Sequence, residues 1–246
     1  MAMAQGQKFI GRGTGSRSAI EFETEGIDMA HQLENERSLV FSYLLLRRAI
    51  GVLGVAFPFV LALGAQIFFQ TGLRNSVSSY YHTGMRDVFV GTLCAIGVFL
   101  LSYKGRQRRD DIAGNLGCLF AVGTALFPVA AEGDVTKSAI LIGYFHQGFA
   151  ALFFLTLIYF SLFLFTKKDP TKSPSKRKRQ RNRIYIACGC IMVVCIALIA
   201  LYKYPQPGMP AIPESYHPVF WLETIAVVAF GISWCTKGQA ILKDQL

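Results

Sequence analysis

The sequence predicts a mainly α-helical, polytopic membrane protein: a bundle of six transmembrane helices with N and C termini in the cytosol. Two observations carry that prediction. Apolar stretches run over about residues 45–69, 88–103, 112–131, 138–165, 184–202 and 218–234 of a 246-residue chain. A bilayer core of ~30 Å needs about 20 apolar residues as a helix, and each stretch is near or above the lower limit. The second observation is charge. Of 25 Lys and Arg, all but Arg74, Arg86, Lys137 and Lys203 fall on one side if six spans alternate. Such a bias sets orientation, with the basic side cytosolic. The resulting organisation is a polar cytosolic segment over 1–42, a six-helix transmembrane domain over 43–238, and a cytosolic tail over 239–246.

The N-terminal segment is polar and mixed in charge, so no cleavable signal peptide is expected and the first span directs insertion. Gly11 to Ser18 reads as flexible, and Glu21 to Arg37 as a short helix near the membrane or as disorder. In the first span Gly51, Gly54 and Gly64 allow close helix approach, and Pro58 predicts a kink. Gly91 and Gly97 play the same part in the second span, and Gly114, Gly117 and Gly123 in the third. Pro128 predicts a kink or an end to that third span. The four short first connections predict antiparallel neighbours. Pro205, Pro207, Pro210 and Pro213 exclude helix from the loop before the sixth span and suggest an extended external lid. The tail, Lys243-Asp244-Gln245-Leu246, is close to an endoplasmic-reticulum retrieval signal. The predicted topology puts it out of reach of a lumenal receptor.

Composition excludes several classes. The net charge of +10 follows the topology, so it signals no nucleic-acid partner. The run Lys176, Arg177, Lys178, Arg179 reads as a topogenic signal or a contact with anionic lipid headgroups. Cys94, Cys118, Cys188, Cys190, Cys195 and Cys235 lie within or at the inner ends of spans, so no external disulfide framework is implied. Cys188 and Cys190 lack metal or redox spacing and read as packing residues.

The polar residues that invite a function collect on the external half. They are His82, His146 and His217, with Asp87, Glu132, Asp134, Glu214 and Glu223. Polar groups inside a bilayer are expensive and face a cavity or a partner. His146 lies about 12 Å down the fourth span and Glu223 about 8 Å down the sixth, at 1.5 Å per residue. A buried carboxylate without a partner goes neutral, so Glu223 is expected to be protonated, to pair with His146 or Arg86, or to face a water-filled cavity. Asp87 suits the positive end of the second helix, and His217 before Pro218 suits the start of the sixth. Three histidines with nearby carboxylates can also hold zinc and activate a water. No pair has i, i+4 spacing, so three helices would have to converge.

The order of several of these residues is similar to that of the DRAM-like family of six-span proteins, the damage-regulated autophagy modulators and their relatives. The likeness covers Ser76-Val77-Ser78, Thr83-Gly84, Asp87 and Phe89-Val90-Gly91; then His146, Gly148, Ala150, Phe153 and Tyr159; then Glu223. Arg86-Asp87 stands where that family has Pro-Glu. The resemblance implies a membrane protein without established catalysis, tied to lipid distribution or membrane trafficking. Ser78-x-x-x-His82 with Asp87 also resembles the Ser, His and Asp set of the alkaline ceramidase and adiponectin receptor superfamily. Those proteins have seven spans and two histidines four residues apart in the last one, where this chain has His217 alone.

The leading expectation is an external polar cup of His82, Asp87, His146 and Glu223, with Arg86 and Ser78 beside them, that binds a lipid or organises the bundle without a cofactor. The alternative is a zinc-dependent hydrolase of lipid amides or esters, with His82, His146 and His217 on the metal and Asp87 or Glu223 as base. A small transporter or channel is a third class, with one deep carboxylate and one deep histidine.

Overall fold

The computed structural model describes residues 14–105, 107–131, 133, 135–167, 175–208 and 212–242, and for 14–28, 30, 36 and 37 the backbone alone. Glu132, Asp134, Arg106, Pro210 and the retrieval-like tail 243–246 lie outside the described residues. Six long helices follow one another, and there is no strand among the described residues. They are α1 (Thr14–Phe69), α2 (Arg86–Leu101), α3 (Arg108–Leu126), α4 (Lys137–Tyr159), α5 (Lys176–Lys203) and α6 (Pro218–Lys237). Short 3-10 helices occupy Ser78–His82 and Glu214–Tyr216, and a π-helical turn, Phe160–Leu164, extends α4. Four segments are long and apolar enough to cross a membrane: His31–Phe69, Lys137–Leu164, Lys176–Lys203 and Glu214–Lys237. At 16 residues α2 is shorter, and α3 opens on the charged run Arg108-Arg109-Asp110-Asp111.

Several boundaries differ from the sequence expectation. Residues 14–18 are helical, and residues 21–37 belong to α1 rather than to a separate short helix. No proline interrupts the chain between Thr14 and Pro58, so nothing local stops a helix there. The third span ends at Leu126, not near residue 131, because Phe127 precedes Pro128 and is extended (φ −95°, ψ 109°). A residue before proline is driven out of the helical region. The fifth helix starts at Lys176, so the basic run forms its first turns, capped by the Ser175 side chain, which accepts from Lys178 N–H.

Contacts divide the chain after Tyr43, and residues 44–246 form one compact unit. Within it α2 packs on α3, α3 on α4, α4 on α5 and α5 on α6. Glycines set the closest crossings. A Cβ on Gly51 would lie 2.8 Å from the Gly231 carbonyl, and one on Gly231 would lie 2.6 Å from Val55 N, so α1 and α6 touch through backbone. Gly114 opposes the Leu100 carbonyl in the same way. Gly91 faces nothing within 4 Å and is no packing site. Outward side chains such as Leu63, Leu155 and Val194 are apolar and exposed, the surface a lipid solvent would cover.

Side-chain contacts define two ends. At the basic end Arg48 Nε donates to Gly238 O (2.8 Å), Lys167 pairs with Asp110 (2.6 Å), and Tyr103 packs against Trp234. Those contacts join α1 to the C-terminal end of α6, the start of α3 to the end of α4, and the end of α2 to α6. Between the ends, Ser161 Oγ donates to Tyr185 O (3.0 Å) and accepts from Ser233 Oγ (2.7 Å), so buried hydroxyls link α4, α5 and α6.

Candidate functional site

At the other end, the histidine end, Pro128 creates a local problem. Breaking α3 leaves carbonyls of the 127–129 segment without helical partners, and unsatisfied backbone is costly where water is scarce. Two histidines answer it. His146 Nδ1–H donates to Phe127 O (2.7 Å), and His82 Nε2–H donates to Val129 O (2.6 Å). A carbonyl only accepts, which fixes both ring nitrogens as donors. His146 is 3% exposed, so its hydrogen bond is made in a largely dry setting.

The start of α6 grips a second segment, 75–77. Phe220 N–H donates to Asn75 O (3.0 Å), His217 Nδ1 bonds Asn75 Oδ1 (2.9 Å), and Val77 N–H donates to Glu223 Oε2 (2.7 Å). Glu223 thus caps the 3-10 helix Ser78–His82, its side-chain oxygen accepting at the end where N–H groups collect. His217 adopts a left-handed backbone (φ 49°, ψ 49°), which costs a non-glycine residue about 1–3 kcal/mol. Its side-chain bond to Asn75 and its N–H bond to Glu214 O (2.8 Å) hold it there.

The expected partners of Glu223 are therefore engaged elsewhere. His146 holds Phe127, and Arg86 Nη2 donates to the Tyr81 hydroxyl (2.7 Å) while stacking on that ring (4.6 Å to the centroid). Asp87 is exposed in the first turn of α2. The residues form two grips: His82 with His146 on segment 127–129, and His217 with Glu223 on segment 75–77. The three histidines are held on two different segments. Among the described residues no group of three or more His, Cys, Asp or Glu is arranged to hold a metal. Tyr80, fully buried, closes the core of this end. Its hydroxyl accepts from Arg74 N–H (3.4 Å); burial pushes its phenol above the ordinary value, with Arg74 pulling the other way.

Beside the second grip lies a cavity of about 940 Å³ between the end of α5 and the start of α6. Its walls include Leu198, Leu201, Val219 and Leu222, and Asn75 and Lys203 supply polar groups. Sequence reasoning missed it: Leu198 and Leu201 read as generic span residues. The four-proline loop was the available signal, since Pro205 also lines the cavity. Comparison with protein-family models, curated proteins and solved structures found no match.

Proposed function

We propose that the chain is a six-span integral membrane protein with both termini cytosolic, and that it binds a membrane lipid at its external end without catalysing a reaction on it. The cavity between α5 and α6 carries this reading. Apolar walls with a few polar groups at one side suit an amphiphile, and Asn75 is fixed there by two bonds from α6. Six spans are supported by the two-ended contact pattern, in which α2 and α3 join the same ends as the four longer helices. Cytosolic termini are supported by the sorting of basic residues to one end.

His82, His146 and Glu223 serve here as structural supports that shape the external end, and His217 positions Asn75. The run Lys176 to Arg179 meets anionic headgroups of the opposite leaflet through the exposed Lys176 and Arg179, while Lys178 turns inward to donate to Phe165 O (2.9 Å). The likeness to the DRAM-like family over segment 76–78, His146 and Glu223 points the same way, to lipid distribution or membrane trafficking.

Thermal unfolding of detergent-purified protein with and without added phosphatidylcholine tests the reading. Lipid is expected to raise the Tm by a few degrees. Leu198→Trp, which fills the cavity from an exposed wall position, is expected to remove more than half of that gain and leave the lipid-free Tm nearly unchanged. Full lipid stabilisation in Leu198→Trp would overturn a lipid site at this place.

A further inference from the structure

The basic end carries a cluster that the external cavity does not explain. Trp234 is fully buried, and the rings of Tyr103, Phe160 and Phe165 lie 5.3, 5.3 and 5.1 Å from it. Three cations from three helices stand on the rim of this aromatic floor. Arg47 Cζ is 5.3 Å from the Tyr103 ring, Lys237 Nζ is 5.0 Å from the Phe165 ring, and Lys178 Nζ is 5.9 Å from the Tyr185 ring. Arg181 is a fourth cation within electrostatic reach of Lys237.

Among the described residues, a carboxylate within reach of Lys237 is Asp110, and it is already committed. It pairs with Lys167 at 2.6 Å and accepts from Gln107 N–H in the capping box of α3. Among the described residues the Lys237 ammonium has an aromatic face beside it and no hydrogen-bonded acceptor. The indole N–H of Trp234, in the same floor, is buried and has no acceptor among the described residues. Like charges gathered on a weakly hydrated surface repel, and a half-buried ammonium without an anion is unfavourable. Aromatic faces offset part of that cost, by about 0.5–2 kcal/mol each. A multiply charged anion offsets more, and Lys with Arg is the donor set that phosphate takes.

We propose that this end binds a phosphate monoester, centred on Lys237 with Arg47 and Lys178 at its sides, and that the phosphate is borne on a lipid headgroup. The lipid source follows from position: Arg47, Lys178 and Lys237 sit where apolar helix surface gives way to basic segments, the depth of a headgroup under the six-span reading. The site does not depend on the external cavity.

Full-length protein in uncharged detergent, titrated with dioctanoyl phosphatidic acid, dioctanoyl phosphatidylcholine and inorganic phosphate, gives the test. Saturable binding of phosphatidic acid is expected, with phosphatidylcholine at least tenfold weaker. Lys237→Gln should weaken phosphatidic acid at least tenfold, Lys237→Arg should restore most of the affinity, and Lys137→Gln, at an exposed position of the other end, should change it less than twofold. Inorganic phosphate binding as tightly as phosphatidic acid supports the site but overturns the lipid source. Absence of saturable binding of either phosphate probe to the unaltered protein overturns the site, whatever the variants do, and so does unchanged affinity in a folded Lys237→Gln protein.

Discussion

His146 and His82 show how a residue that looks functional in sequence can be accounted for by its neighbours. Both donate to carbonyls freed by the break at Pro128. Glu223 likewise answers the N–H groups at the start of a 3-10 helix. Because these grips act on separate segments, their losses should add. His146→Ala and Glu223→Ala are each expected to cost about 1–3 kcal/mol of stability, as for a buried partner left unsatisfied. The double variant should equal the sum within ~0.5 kcal/mol. A coupling above ~1 kcal/mol in a thermal-unfolding cycle would mean that the two side chains share one site. Sequence marked these residues as costly because polar groups in an apolar span need a partner. Their partners were illegible because the acceptors are backbone atoms, which carry no signature in a side-chain pattern. Asn75 was missed for a related reason: a polar residue in a polar loop does not stand out until Phe220 N–H and His217 are seen to hold it.

At the scale of the helices, each of the six apolar stretches overlaps one long helix, but hydropathy misjudged the ends. The third helix stopped early at the residue before a proline, and the fifth started early because Lys and Arg are good helix formers whatever their hydropathy. Glycine spacing was a weaker guide. Gly51 and Gly231 meet backbone to backbone, whereas Gly91 faces open space. Gly231→Ala is therefore expected to destabilise by about 1–3 kcal/mol through overpacking. Gly91→Ala should be neutral or stabilise by up to ~1 kcal/mol, because alanine orders less of the unfolded chain's freedom away. Thermal unfolding of the two variants side by side checks the contrast, and equal effects would contradict the crossing described here. The Ser161–Ser233 pair joins three helices through hydroxyls. Ser161→Ala should cost about 0.6–2 kcal/mol, the range for polar contacts between membrane helices.

For the whole molecule, the central claim is sidedness: one end gathers arginine and lysine over an aromatic floor, the other gathers histidines, a deep carboxylate and the α5–α6 cavity. The expectation of sidedness came from the distribution of basic residues, because charge near a span is read during insertion and leaves a pattern independent of packing. The cavity and the cation cluster were not legible, since each joins residues more than 100 positions apart, such as Asn75 with Trp221 and Arg47 with Lys237. Single-cysteine variants with the native cysteines replaced by serine test sidedness most directly. Glu214→Cys should react with a membrane-impermeant maleimide from the external or lumenal side of sealed membranes, and Lys176→Cys only after the membrane is opened. Labelling of Lys176→Cys from that side, with Glu214→Cys protected, would contradict the account.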